Sequence, residues 1–446
     1  MRLSTGILAA LLSCMAVSCK PGSFSQIDSY PDIFPDYIGT MVPEGMASLR
    51  FAMTDGSRCR VQERREGDVI WYRVSAWRKG SRTGTMYKEF PVYVSHDPID
   101  PYIVYRLIEP AYESWHDMGI YQRELASYRE TAIVTNSVND KGCLNCHAFP
   151  AGDPSRMIFH ARGKNGGTVF VNAAPSAGGS VKKVNLAEVG PKMQGTYPAW
   201  HPEGRYVVFT SNSTNQSFYT AAHQQIEVYD KVGDMLMVDL ETDEVVPVIR
   251  TDESLVTFPS WSEDGSMLYF CMSENPGNLP YNRAELRYRL MSLDFADGHF
   301  SGEPRAVLDL DSLSVSFPRI RGNRMVFTAS AYGTFPIWHQ EADLWMLDMA
   351  DGSVRPLDEL NSDETDSYHS WSGNGKWMVF SSRRIDGRYT RLFITHCNDD
   401  GTFSKPFLLP QKDPAHNTLR LKSYNVPEFV SGEVGNLEPE VGRLFK

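Results

Sequence analysis

Cysteine is scarce in this chain, seven among 446 residues, with no even set at regular spacing. A disulfide-stapled scaffold is therefore excluded. Positive charge is also short, with 44 Lys and Arg against 55 Asp and Glu and a net charge of −11. That balance excludes nucleic acid as a partner, because neutralising phosphates needs a basic surface. One local basic run, from Arg58 to Lys88, includes Arg64, Arg65, Arg73, Arg78, Lys79 and Arg82; it reads as a solvated sheet face or edge. There is no Gly-x-Ser-x-Gly elbow and no His-Glu-x-x-His, so the sequence offers no signature of a serine hydrolase or a metalloprotease. The apolar stretch from Leu3 to Val17 is too short and too sharply ended for a membrane-spanning helix.

That stretch has another use. Arg2 supplies a positive start, and the small residues Ala16 and Ser18 precede Cys19. Residues 1–19 resemble a bacterial lipoprotein signal, in which the cysteine is lipidated and becomes the mature N-terminus. Cys14 is a weaker competing site, and an ordinary cleaved secretory signal is the alternative. The resemblance implies several acyl chains at Cys19, enough for a stable membrane anchor. It also implies the envelope of a Gram-negative bacterium, periplasmic or outer-membrane.

The second half repeats itself. YPAWHPEGRYVVFTSN (197–212), FPSWSEDGSMLYFCMS (258–273), FPRIRGNRMVFTAS (317–330) and YHSWSGNGKWMVFSSR (368–383) each place an aromatic residue three before a bulky anchor. The anchors are Trp200, Trp261, Ile320 and Trp371, at intervals of 61, 59 and 51 residues. A turn with Gly204, Gly265, Gly322 or Gly375 follows, then a β-rich run ending in a phenylalanine. Each interval also holds a second strand pair with Asp or Gly at its turn, so a period contains about four strands, the content of one propeller blade. The motif resembles TolB-like, WD40-like (PD40) propeller repeats over residues 156 to 430. The fold class expected is mainly β, a propeller of about six blades across 156–446, with YNVPEFV (424–430) as a closing strand.

Upstream, residues 20–97 alternate in strand fashion and predict a small β-sandwich-like domain. The segment 98–155 reads as a helical linker that carries a haem-binding loop. DIFPDY (32–37), DPIDPYIVYRLIEP (97–110), GIYQREL (119–125), CLNCHAF (143–149) and MIFHARG (157–163) resemble blocks shared by Bacteroidetes-type envelope lipoproteins that join a Cys-x-x-Cys-His segment to such a propeller. The resemblance implies one covalent haem c and no settled activity.

The pentad Cys143, Cys146 and His147 is specific on its own terms. In a c-type haem two thiolates add to the vinyl groups and the adjacent imidazole ligates iron. Structural zinc needs further ligands, and no second Cys-x-x-Cys exists. A redox dithiol wants a strand-to-helix setting. For the sixth iron ligand the candidates are His160, with Arg162 beside it to pair a propionate, and Met157 on the opposite face of the same strand; His116 and Met118 are outsiders. Cys59, Cys271 and Cys397 read as inert thiols. These residues together point to a lipid-anchored monohaem electron carrier whose propeller docks a redox or envelope protein partner, and away from a stand-alone enzyme. The alternative is a non-redox propeller scaffold in the envelope.

Overall fold

Each aromatic-Pro-x-Trp run forms the innermost strand of a blade, and the glycine turn after it starts the return strand. Gly204, Gly265 and Gly375 sit in those hairpins at φ 71°, 73° and 70°, a region that a side chain disfavours. The computed structural model describes residues 22–109, 117–172, 179–187, 189–190, 195–219, 226–279 and 281–446. The signal segment with Cys14 and Cys19, and also His116, lie outside the described residues.

Six four-stranded antiparallel sheets make the propeller. Blade 1 runs from Leu144–Ala148 through Arg156–Ala161 and Gly167–Asn172 to Ser180–Val184. Blade 2 spans Thr196–Trp200 to Val245–Ile249, blade 3 Ser254–Trp261 to His299–Leu308, blade 4 Ser314–Arg321 to Val354–Pro356, and blade 5 Asp366–Trp371 to Phe407–Leu408. Blade 6 is split. Its inner strand is the C-terminal Ser423–Val430, and its outer three are Tyr102–Ile108, Gly119–Glu124 and Glu130–Thr135. The inner strands touch in sequence from blade 1 to blade 6 and back to blade 1, so the ring is closed.

Three tryptophans join the blades. Trp200 Nε1 donates to the Ala148 carbonyl at 3.1 Å, Trp261 Nε1 to that of Ala199 at 3.2 Å, and Trp371 Nε1 to that of Arg319 at 3.1 Å. Each bond crosses to the inner strand of the preceding blade. Buried indole N–H groups need such partners, which is why the anchor is tryptophan where a carbonyl is within reach.

Two expectations are corrected here. The segment 98–155 is not a helical linker: its described part forms three strands of blade 6 and the start of blade 1, so the propeller begins at Tyr102. Those strands read poorly in isolation because their inner partner arrives from over 300 residues away (Tyr424 faces Leu107). The N-terminal unit, in turn, is one six-stranded sheet plus a two-stranded pair, not a sandwich. Its second layer is the propeller itself. Tyr72, Val74, Phe90 and Val92 share one apolar cluster with Trp377, Leu392 and Ile394 of blade 5 and Ile103, Tyr105 and Phe429 of blade 6. Trp377 Nε1 also donates to the Asp97 carbonyl at 3.0 Å. The first part of the basic run, with Arg64 and Arg65, lies on the edge strand Arg58–Glu66, whereas Arg73 lies on the central strand Val69–Trp77.

Phe429 lies in the closing strand and is 3% exposed within that shared cluster. Phe429→Ala is expected to cost about 3–5 kcal/mol in urea unfolding. A loss below about 1 kcal/mol would separate ring closure from the stability of the fold.

Candidate ligand site at the channel mouth

Every inner strand carries one non-glycine residue in left-handed backbone: Cys146, Tyr197, Phe258, Phe317, Tyr368 and Val426, at φ 50°, 48°, 52°, 55°, 48° and 49°. At each of them the pairing with the second strand slips, for example between Thr196 and Ala199 and between Asn145 and Ala148. Such a residue costs about 1–2 kcal/mol; six-fold repetition marks the cost as architectural. The bulge bends the inner strand, and the aromatic members meet in series. Ring centroids lie 4.2 Å apart for Tyr197 and Phe258, 5.4 Å for Phe258 and Phe317, and 5.1 Å for Phe317 and Tyr368. Val426 and Cys146, on adjacent blades, are the two small members of this circle.

Beside that gap lies a cavity of about 740 Å³, where the loops between second and third strands emerge. Its wall includes Arg106, Cys143, Cys146, Arg162, Tyr368 and Arg383. The Nε atoms of all three arginines are buried without a hydrogen-bond partner among the described residues. Arg383 stacks on Trp338, 4.5 Å from the ring centroid, and burial pulls its guanidinium down to about 10. Glu364 and Asp386 also line the cavity. Asn145 Nδ2 donates to Cys143 Sγ at 3.6 Å. Burial raises the Cys146 thiol, while the Tyr197 backbone and the charges of Arg106 and Arg162 pull it back. Deeper in, Asp230 is raised to about 6 by burial although Thr214 and Asn212 donate to it.

The sequence candidates separate cleanly. Cys143, Cys146 and Arg162 come together on the cavity wall. His147, His160 and Met157 are not on that wall. Cys146-His147-Ala148-Phe149 occupies the frame of Tyr197-Pro198-Ala199-Trp200, so His147 stands where Pro198, Pro259, Pro318 and Pro427 stand, and where blade 5 has His369. His369 Nε2 pairs with the Val326 carbonyl of the preceding blade at 2.8 Å. The matching residue of blade 6 is Val104, aligned with Glu428 as Val326 is with Arg319. The backbone of Val104, with that of Val426, faces the His147 ring, though neither ring nitrogen makes a well-formed hydrogen bond. Burial, then the Arg106 charge, pushes this imidazole down to about 3. His160 Nδ1 pairs with Thr168 Oγ1 at 2.9 Å inside the blade, and burial holds it at about 3. Met157 is fully buried between blades with Phe159 and Val169. Met118 Sδ accepts the Leu144 N–H at 3.2 Å.

For haem c the fit is therefore partial. Two thiols and three guanidiniums share one cavity wall, but the axial ligands named from the sequence are buried in the packing of the blades. The residues as placed do not form an iron site. Sequence reasoning also missed Arg106 and Arg383. The signal for Arg106 was a single arginine inside the apolar run YIVYRLI, and for Arg383 an arginine closing the repeat at SSR.

A second buried group lies two residues past the circle. Glu428 Oε1 accepts the Phe149 N–H at 3.1 Å, and burial raises its carboxyl to about 8 despite the nearby Arg319. Arg319 lies 4.2 Å over the Phe317 ring.

No protein-family model matches the chain, and no curated protein matches it. Solved structures do. A structure from work on two prolyl endopeptidases is 11% identical, covers 78% of this chain at a TM-score of 0.38, and is spanned by this chain over 42% of its own length. One from a nidogen–laminin complex is 8% identical, with 74% of this chain and 100% of the other covered and a TM-score of 0.44. The β-propeller domain of Cps50 (Swd1) from Myceliophteria thermophila is 11% identical, with 75% and 95% covered and a TM-score of 0.36. Likenesses this distant carry no functional argument, and the propeller rests on the six sheets themselves.

Two outcomes follow from this geometry. His147→Pro is expected to leave the thermal midpoint within a few degrees of wild type, because four blades already place proline after a left-handed residue; a collapse of the fold would refute the equivalence. Glu428→Gln keeps the acceptor for Phe149. A carboxyl raised above its unfolded value makes the native state hold the extra proton, so stability falls as pH climbs from about 4.5 to about 8. The variant is expected to remove that slope and to be more stable than wild type by roughly 1–2 kcal/mol at pH 8. Parallel urea-stability profiles for the two proteins would contradict the assignment.

Proposed function

We propose that the chain is a ligand-binding propeller of the cell envelope, tethered through Cys19, whose channel-mouth cavity takes a small anionic molecule with a planar apolar body. The observation that carries this reading is the trio Arg106, Arg162 and Arg383, each with a buried, unpartnered Nε, on one cavity wall. A buried guanidinium N–H without a partner is costly until an acceptor meets it. Arginine forks suit carboxylate and phosphate oxygens. Tyr197, Tyr368, Trp338 and Phe335 supply flat apolar wall, and about 740 Å³ is the size of a small-molecule site.

A porphyrin bearing two propionates is one member of this ligand class, and both thiols stand within reach of the same space. Electron transfer by such a group is the finer reading. It needs an axial ligand that His147, packed against blade 6, does not supply as it stands.

Calorimetry with phthalate, an aromatic dicarboxylate, and with pyrophosphate tests the proposal. Saturable binding is expected, weakening with added salt. Arg106→Gln or Arg162→Gln should lower affinity by about tenfold or more, one charge-assisted hydrogen bond each. Affinity indifferent to both substitutions would remove the cavity as the site. A haem stain of secreted protein run beside it, positive only with Cys143 and Cys146 intact, would restore the electron carrier.

A further inference from the structure

Once His147 is assigned to the blade repeat, the chemistry left in the pentad is its two sulfurs. In a flat strand, residues three apart face opposite sides. Here the left-handed turn at Cys146 rotates the chain, and both Cys143 and Cys146 line the same cavity. Asn145 Nδ2 donates to Cys143 Sγ at 3.6 Å. Arg106 and Arg162 line the same wall as the two sulfurs. Two thiolates alone would repel one another, and a cation held between them removes that repulsion.

We infer that Cys143 and Cys146 form an imidazole-free, two-sulfur site for a soft monovalent cation of the copper(I) type. Zinc and iron need more ligands than the cavity offers, since no cluster of three or more His, Cys, Asp or Glu side chains able to hold a metal occurs among the described residues. Copper(I) selects thiolates and accepts two of them. Binding replaces both thiol protons: two S–H bonds break, two copper–sulfur bonds form, and two protons leave to solvent. The product, one monovalent cation with two thiolates, carries a single negative charge. That charge is what the neighbouring guanidiniums are placed to meet, so the same cavity that favours an anionic ligand also favours this complex over either free thiolate. No electron changes hands in the step.

The inference stands on the sulfurs, whereas the anion reading stands on the guanidiniums, and the two can fail separately. Reduced protein is titrated anaerobically with copper(I) in competition with bicinchoninate. One equivalent is expected to bind. Cys143→Ser and Cys146→Ser should each lose at least a hundredfold in affinity, whereas Cys59→Ser and His147→Pro should match wild type. Both serine variants should keep the thermal midpoint of the wild type, which shows that they fold. X-ray absorption of the loaded protein should give a two-coordinate, sulfur-only copper. Nitrogen in the first coordination sphere, a dependence on His147, undiminished binding by either serine variant, or thiols blocked by covalent haem in secreted protein would each overturn the assignment.

Discussion

The left-handed backbone at one residue of every inner strand is the constraint from which the rest of the molecule follows. It breaks the ladder between inner and second strands at the same point in all six blades, and the resulting bulge tips one side chain into the centre. Where that side chain is aromatic, consecutive blades gain ring contacts between their inner strands. Where it is followed by proline, the missing N–H falls in the stretch where the ladder has already slipped, so no bond is lost. The tryptophan three residues on then reaches the carbonyl of the blade before. Bulge, ring contact and indole clamp are parts of one device, used with local substitutions around the circle.

That account explains what could be read in the sequence and what could not. The four clear repeats were legible because each is local: an aromatic residue, a tryptophan or isoleucine, and a glycine turn lie within one short run. Blade count and the closing strand near residue 424 followed from them. Blade 6 was hidden because its strands come from both ends of the chain, and YIVYRLI without its inner partner looks like a short apolar segment of no fixed type. Blade 1 was legible from Arg156 onward, and only its inner strand was hidden, for a different reason. Its inner strand carries cysteine in the aromatic position and histidine in the proline position, so Cys-His-Ala-Phe announced a haem motif more loudly than it announced Tyr-Pro-Ala-Trp. Setting the two tetrapeptides side by side, with Tyr-His-Ser-Trp of blade 5 as the bridge, would have found the repeat. Cys143 and Arg162, singled out for their chemistry and not their packing, line one cavity.

The buried charges have a related logic. His147, His160 and His369 are held neutral by burial, and Glu428 is held protonated. Structural groups thus shed their charge inside the blades. The three cavity arginines cannot do so, because a guanidinium gives up its proton only far above neutral pH. A charged cluster whose Nε groups lack hydrogen-bond partners among the described residues is therefore a different kind of feature from a histidine that has been neutralised. This contrast, more than cavity size, sets the cavity wall apart from the packing of the blades.

The position of the site completes the argument. Arg106 lies on the second strand of blade 6, Cys143, Cys146 and Arg162 on blade 1, and Val426 on the C-terminal strand between them. Val426 and Cys146 are also the adjacent small members of an otherwise aromatic circle. The seam where the C-terminal strand completes blade 6 is thus also the place where the circle carries its two small side chains. Closing it fixes Arg106, whose strand is paired to the C-terminal strand, against the two thiols of blade 1. The cavity wall is shared between blades, because no single blade carries both the sulfurs and Arg106. Substitutions that weaken the seam therefore act on the cavity even when they touch none of its residues.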